Sequence, residues 1–216
     1  MKTRSMTDDP VGGEEAILVA AQALFAKLGF DGVSMSAVAG AAGVSKANIY
    51  HHFASKHGLY VAVLRRSAAR TSTLMDTLAD RAATVEDILS RFARSHLATM
   101  LENRDAYRLL LREAMEDGPE RQHTLATAAV GENFSRLTEL VATGQRAGVL
   151  RAEHEPALCA ALLVAANVFY FQARGVLAAL GGSGIVDEPE DYADGVMRIL
   201  MNGMRAPAAN GEPDPA

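Results

Sequence analysis

Two lysines, an asparagine, a tyrosine and two adjacent histidines lie within eleven residues in the first third of the chain: Lys46, Asn48, Tyr50, His51, His52 and Lys56. Adjacent histidines suggest a metal site, but neighbouring positions on a helix point about 100° apart and no further ligand lies nearby. We therefore expect no metal ion at this pair. Ammonium, amide and phenol groups also bind nucleic acids, although a single lysine is ordinarily only a solvated side chain. What this cluster does depends on the elements that hold it.

Two short helices are predicted to hold the cluster, one on each side of a three-residue turn that begins at Gly43. Ser34 can cap the first helix, residues 35–42, and Ser45 can cap the second, residues 46–52. Glycine at the start of the turn adopts a backbone conformation that other residues adopt only at a cost. This is the helix-turn-helix arrangement, whose second helix enters the major groove of DNA with its N-terminus first.

The second of these helices is predicted to have one buried and one free side. The residues that can pack inward from the two helices and the turn are apolar: Val38, Val44, Ile49 and Phe53. The free side then carries Lys46, Ala47, Asn48, Tyr50 and His51. Such a division predicts that the second helix presents a polar face to a partner.

Helical periodicity dominates the rest of the chain, without the alternation typical of β-strands. The predicted helices are 17–28, which ends at Gly29, 35–42, 46–52, 56–80, 84–102, 105–115, 120–148, 156–180 and one that starts at Pro189. Thr84 and Asp87 have the spacing of a capping box. In the last helix, we expect four residues to face inward: Tyr192, Val196, Ile199 and Leu200. The sequence thus predicts an all-α fold of about nine helices.

Positive charge is concentrated near the start of the chain, although the formal net charge of the whole is −5. Residues 1–66 hold seven Lys and Arg against five Asp and Glu, and the remainder holds fourteen against twenty-one. This distribution fits a small DNA-binding module on an acidic body, but chance explains it equally well.

A single cysteine, Cys159, allows no intramolecular disulfide, which fits a reducing cytoplasm. There is no apolar signal segment, and the longest apolar run, 157–171, is shorter than a membrane span.

Residues 25–56 resemble the DNA-binding domain of the tetracycline-repressor (TetR/AcrR) family. The family pattern F..LG(F/Y), S(M/V)..(I/V)A..AGVSK and (I/L)Y.HF..K..L is met here by FAKLGF, SMSAVAGAAGVSK and IYHHFASKHGL. The resemblance covers about residues 17–64, and the remainder is similar only in helix count and length. One departure is Ala37, where an acidic partner for the Ser34 cap is frequent.

The resemblance implies a role in DNA binding for nine residues. The groove-facing set is Lys46, Ala47, Asn48 and Tyr50, in which Asn48 can contact a base edge, most naturally adenine, and Ala47 offers a methyl group. Phosphate contacts are implied for Tyr50, His51, His52 and Lys56. Ser34 and Ser45 lie at helix starts, where hydroxyl and backbone N–H groups can both reach a phosphate.

The predicted domains are a helix-turn-helix domain at 14–64 and an effector-binding and dimerisation domain at 65–204. Residues 1–13 and 205–216 lack apolar periodicity and are predicted to be a flexible arm and a disordered tail.

The resemblance implies that the last two helices pair with their copies in a homodimer. The helix 156–180 is apolar nearly all round and needs burial on two sides, although the central helix of a monomer would have the same pattern.

Family members usually bind a small molecule in the second domain. Candidate contacts here are His96, Met100, Tyr107, Phe134, Asn167 and Phe171. For the polar members, a satisfied buried group is the simpler explanation, and Asn167 could equally lie in the dimer interface.

The sequence therefore predicts a cytoplasmic, ligand-responsive transcriptional regulator, a repressor that binds a palindromic operator as a homodimer and is released by a small-molecule effector. An effector-blind or protein-controlled DNA-binding regulator remains the alternative. No Gly-rich phosphate loop, metal-ligand spacing or nucleophile–base motif indicates an enzyme. We accordingly expect no cofactor, no metal and no membrane association.

Overall fold

The computed structural model describes residues 10–79, 84–115, 118–180 and 188–205. Its elements are α1 (Pro10–Leu28), α2 (Met35–Ala42), α3 (Lys46–His52), α4 (Lys56–Ala79), α5 (Val85–Glu102), α6 (Arg104–Met115), α7 (Pro119–Leu125), a π-helix (Ala126–Val130), α8 (Gly131–Arg146), α9 (Pro156–Ala179) and α10 (Pro189–Met204). The consecutive segments α7, π-helix and α8 correspond to one predicted helix, so all nine predicted helices have a counterpart. The predicted all-α fold is confirmed.

The helix-turn-helix begins each of its helices at a side-chain cap. Ser34 Oγ accepts a hydrogen bond from the backbone N–H of Ala37 at 3.1 Å, and Ser45 Oγ accepts one from Asn48 at 3.0 Å. Each cap pairs an amide that the helix itself leaves unpaired. The missing acidic side chain at Ala37 does not prevent the cap, because the cap uses only the backbone N–H there. Gly43 ends α2 with φ 69°, where a side chain would be strained.

The predicted capping box at the start of α5 is also present. Thr84 Oγ1 accepts from the backbone N–H of Asp87 at 3.2 Å, and Asp87 Oδ2 accepts from the backbone N–H of Thr84 at 3.3 Å. The two residues thus satisfy each other's backbone amides.

The two ends of the chain fall only partly within the described residues. α1 begins at Pro10, so residues 10–13 form its first turn, although the sequence predicted them to end the flexible arm. Residues 1–9 of the arm and 206–216 of the tail lie outside the described residues. Arg205 is described, and its backbone N–H donates to Met201 O at 2.8 Å.

The described helices divide into two compact units. The first holds residues up to Ala69 together with 103–130, and the second holds 70–102 together with residues from Gly131 onward. Helices α6 and α7 thus group with the helix-turn-helix, whereas the sequence assigned them to the second domain. The sequence prediction placed these helices by their order in the chain alone. Which helix α6 packs against depends on the fit of side chains in the folded unit. The functional boundary at residue 64 stays a prediction.

The core of the first unit is built around α1. Its fully buried residues include Ile17, Phe25, Val38, Ile49 and Leu59. The predicted inward face of the helix-turn-helix is confirmed, with Phe53 also buried and Val44 half-buried. α6 packs against α1. Its buried residues include Ala106, Tyr107, Leu109 and Leu110.

The core of the second unit joins α5, α8, α9 and α10. One cluster contains Leu89, Phe92, Leu137, Val141, Leu163, Met197 and Met201. The predicted inward face of α10 is wrong in one respect, because Ile199 is 74% exposed, while Ala193, Met197, Met201 and Met204 are buried. Apolar residues surround much of this helix, so periodicity alone could not select the face that packs on α5.

Helix α9 has, alone among the described helices, the length and composition of a membrane span, with a mean hydropathy of 1.6 over an 18-residue window. The sequence had pointed only to a shorter apolar run. A core helix has the same composition, and one face of α9, with Cys159, Leu163 and Tyr170, is buried in the second unit.

A buried polar pair joins α5 to α9 within the second unit. Asn167 Nδ2 donates to the backbone oxygen of Ala93 at 2.9 Å and lies 3.2 Å from His96 Nδ1. His96 stacks on Phe92 at 5.1 Å between ring centroids. Burial lowers the pKa of His96 to about 4, from 6.5, because the charged imidazolium loses its hydration. The pair is therefore neutral at physiological pH.

The depressed pKa of His96 predicts acid sensitivity of the second unit. Since the folded pKa lies below the unfolded value of 6.5, the unfolded chain binds more protons, and stability present above pH 6.5 falls as the pH drops towards 4. This residue alone should contribute a loss of about 3 kcal/mol in unfolding free energy. Urea unfolding of the wild type and of His96→Gln between pH 7 and 4 measures the difference. His123→Gln, at an exposed histidine, is the control, and equal pH profiles for all three proteins would contradict the prediction.

Candidate nucleic-acid interface

Helix α3 shows the division between a buried and a free side that the sequence predicted. Ile49 is fully buried, and Tyr50 is 47% exposed. Lys46, Ala47 and His51 are also exposed. Four of the five residues predicted to lie on the free side are therefore exposed to solvent.

Lys46 and Tyr50 are neighbours one turn apart on this exposed face. Lys46 Nζ lies 5.9 Å from the centroid of the Tyr50 ring, a cation–π distance. The ammonium and the phenol hydroxyl are thus presented side by side. Both are donors of the kind that phosphate oxygens accept.

Asn48 and His52 lie at the border of the exposed face, against the start of α1. Asn48 is half-buried, because Gly13 is so close that a Cβ built there would lie 3.6 Å from Asn48 Oδ1. His52 Nδ1 lies 3.8 Å from Glu14 Oε2. The prediction that Asn48 stands on the free side is thus only partly right, since it considered two helices and not α1.

The carboxamide oxygen of Asn48 is buried and has no hydrogen-bond partner within the described residues. A buried acceptor without a donor costs free energy. The amino group of an adenine in the major groove is a donor that an asparagine side chain can engage together with the ring nitrogen beside it. Because this oxygen is buried against α1, a base can reach it only if the start of α1 or the Asn48 side chain moves, and base contact by Asn48 stays a prediction.

Lys56 is more constrained than the sequence indicated. It is half-buried, with Nζ 4.4 Å from the centroid of Phe30 and 3.4 Å from the backbone oxygen of Asp31. Its ammonium group therefore holds the turn between α1 and α2 as well as adding positive charge. Phosphate contact by Lys56 stays a prediction.

The structure brings one residue to this region that the sequence analysis missed. Arg121 of α7 lies 3.3 Å from Asp31 Oδ2, and its guanidinium is 5.8 Å from the centroid of Phe30. The separation of ninety residues between Arg121 and Asp31 left no local signal by which to find it.

The two adjacent histidines of the cluster contact each other. The rings of His51 and His52 meet edge to face at 5.3 Å between centroids. Over the four described stretches of chain, no group of three or more His, Cys, Asp or Glu side chains is placed to hold a metal ion.

The candidate effector residues fall in both units. Tyr107 belongs to the first unit, and the second holds the others, which are His96, Met100, Phe134, Asn167 and Phe171. Within the second set, the structure brings His96 and Asn167 together. Met100 is fully buried, Phe171 is half-buried and Phe134 is exposed. Asn167 is buried inside its own unit, which argues against a place for it in a dimer interface.

Two family profiles match the chain. The profile described as bacterial regulatory proteins, tetR family, matches residues 17–63, which hold the helix-turn-helix. The profile described as tetracyclin repressor-like, C-terminal domain, matches residues 86–195, from α5 into α10.

Known proteins are similar over most of the chain. The HTH-type transcriptional regulator RutR of Escherichia coli K12 is 28% identical over 201 residues, which are 89% of this chain and 90% of RutR. The fatty acid degradation regulator FadR from Bacillus halodurans has a TM-score of 0.74 at 18% identity, over 88% of this chain and 99% of its own. FadR from Bacillus subtilis, solved with stearoyl-CoA, has a TM-score of 0.72 at 14% identity, over 88% and 98%. At these identities, the likeness to both FadR structures concerns the fold.

The positions of Asn48 and Lys56 predict different effects on DNA binding. Asn48→Ala should relax the preference for particular base pairs by ~1–3 kcal/mol, because the variant has no side-chain amide to bind a base edge. Lys56→Met keeps an alkyl chain on Phe30 but removes the charge, and should weaken all duplexes about equally. Competition binding against a library of single-base operator variants measures both. The same base-by-base pattern in the two variants would contradict these roles.

Proposed function

The chain belongs to the TetR family of bacterial regulatory proteins, and on this premise we propose that it is a ligand-responsive transcriptional repressor. In this proposal, a homodimer binds palindromic operator DNA and a small-molecule effector releases it. Members of this family regulate transcription by binding DNA and are not enzymes. The site of action is the cytoplasm, where the operator lies.

The observation that carries the proposal is the capped, anchored helix α3 with its exposed polar face. Its N-terminus is capped by Ser45, its buried side is held by Ile49, and its free side offers Lys46 and Tyr50. A helix of this kind fits the major groove with its N-terminal residues towards the bases. Ser34 and Ser45 use their hydroxyl oxygens as cap acceptors, which leaves the hydroxyl protons for phosphate oxygens.

A homodimer is supported by an apolar face of the second unit that its own core leaves uncovered. Leu158, Leu162, Phe169 and Val176 of α9 are exposed and recur at helical spacing, and Ile199 of α10 is exposed as well. Large apolar side chains gathered on one face mark an interaction surface. A second copy of the same two helices supplies a matching face, and a twofold dimer matches a palindrome.

Control by a small molecule is supported by the match of residues 86–195 to the repressor-like C-terminal domain. In the proposal, the effector binds in the second unit near Met100, Phe134 and Phe171, and shifts the population of dimers that can bind DNA. FadR of Bacillus subtilis holds stearoyl-CoA in its structure, so acyl-CoA is a rational first probe.

The effector-blind regulator is the second candidate function. A true effector must both raise the melting temperature and weaken operator binding, because it acts by differential affinity for two states. Thermal-shift and operator-release assays with stearoyl-CoA and a panel of apolar metabolites separate the two candidates. Compounds that raise the melting temperature without releasing DNA would favour the effector-blind regulator.

Binding of duplex DNA should depend strongly on salt. Two copies of a basic face that make about six to ten phosphate contacts lose affinity by about 10³–10⁵ between 50 and 200 mM salt. Fluorescence anisotropy with a labelled fragment of the adjacent intergenic DNA measures the slope at several salt concentrations. Lys46→Ala removes one cation from each protomer and should reduce that slope by about one for each protomer bound. A flat salt profile for the wild type would overturn the proposed function.

A charge on the uncovered apolar face should break the dimer. Phe169 is 55% exposed in the protomer, so Phe169→Glu leaves the core of the unit intact and places a carboxylate in the proposed interface, where its desolvation is costly. Light scattering should then report monomers or aggregates. Ala98→Glu, at an exposed position on α5, is the control and should remain dimeric. A clean dimer of the Phe169 variant would place the interface elsewhere.

A further inference from the structure

The turn between α1 and α2 is held from two sides within the first unit. From α4, Lys56 contacts the ring of Phe30 and the backbone oxygen of Asp31. From α7, Arg121 contacts the same ring and the carboxylate of Asp31. This turn leads directly into α2, so its position bears on the placement of the whole helix-turn-helix.

Behind the turn lies a buried polar contact between α4 and α6. The hydroxyl of Tyr60 donates to Glu113 Oε2 at 2.5 Å, and Glu113 is only 2% exposed. The ring of Tyr60 meets Phe25 and Phe30 edge-on, each at 4.9 Å between centroids. One side chain thus joins the carboxylate of α6 to the aromatic side chain of the α1–α2 turn.

A buried carboxylate is an expensive group to keep in a folded protein. It is tolerated when hydrogen bonds stabilise it, and removal of its donor leaves an unpaired buried charge. Burial of two leucines would hold α6 on α4 without this cost. The polar contact is also directional, because the hydroxyl must point at the carboxylate, and it therefore fixes the position of the Tyr60 side chain, whose ring meets Phe30.

A groove of about 420 Å³ lies at the same place. It is lined by Phe30, His57, Tyr60, Glu113, Glu120, Arg121 and Thr124. The ring of Phe30 lines this groove and also meets the rings of Phe25, His57 and Tyr60. The directional contact between Tyr60 and Glu113 positions one of these neighbours.

We propose that Glu113 and Tyr60 are positioning residues for DNA binding, which hold the α1–α2 turn, and through it α2 and α3, in the arrangement that fits the operator. This inference rests on the proposed function. The determinants of operator affinity then include a carboxylate on α6 that touches no DNA. When the hydrogen bond between the two residues is removed, a smaller fraction of the protein has the competent arrangement, and the apparent affinity falls by that fraction.

The test compares Tyr60→Phe, Glu113→Leu and Glu113→Gln as full-length proteins, at a temperature where circular dichroism shows each to be folded. Tyr60→Phe and Glu113→Leu should lower operator affinity about tenfold, because each removes one partner of the buried hydrogen bond. Glu113→Gln retains a carbonyl acceptor for the Tyr60 hydroxyl and should stay near the wild type. Glu120→Leu is the control, since it removes the same charge from an exposed position in the same groove.

Two further readouts separate positioning from mere stabilisation. The slope of affinity against salt should be unchanged in Tyr60→Phe, because the variant keeps every group that binds phosphate. Hydrogen exchange should accelerate in the turn, where the amide of Val33 bonds to the backbone oxygen of Phe30, and not in α9. A lower melting temperature with unchanged operator affinity and unchanged exchange in the turn would overturn the inference. If the wild type itself fails to bind duplex DNA, the proposed function fails instead.

Discussion

The polar face of α3 depends on how its opposite side is anchored. A helix of seven residues is too short to be stable in water by itself. Burial of Ile49 and Phe53 holds its backbone against the rest of the unit, and the Ser45 cap pairs an amide at its start. Every proposed DNA contact of this helix depends on these three interactions, because they fix the direction in which its side chains point.

The same reasoning extends from α3 to the turn that precedes α2. Phe30 and Asp31 receive contacts from α4 and α7, and the ring of Tyr60 links Phe30 to the buried carboxylate of Glu113 on α6. In the proposal, residues that contact no DNA thus share in holding the proposed DNA-binding surface. α6 also packs on α1, and α7 packs on α6, so both helices group with the helix-turn-helix and not with the helices that follow them in the chain.

The helices of the second unit carry more apolar surface than one core covers. Helix α9 therefore buries Leu163 on one side and exposes Phe169 on another. His96 and Asn167 satisfy each other inside this core, and burial keeps the pKa of His96 near 4. The uncovered apolar face of this unit is the feature on which the proposed association with a second copy rests.

Local signals in the sequence were enough to predict the helices, the caps at Ser34 and Ser45, the capping box at Thr84 and the family. These features depend on residues a few positions apart, whose types and spacing are visible in the chain. The exposure of Ile199, the half-burial of Asn48 against Gly13 and the ion pair of Arg121 with Asp31 were decided only by the tertiary structure. Each of them depends on which helix packs against which, and that choice is made by the fit of whole faces, which no local spacing records.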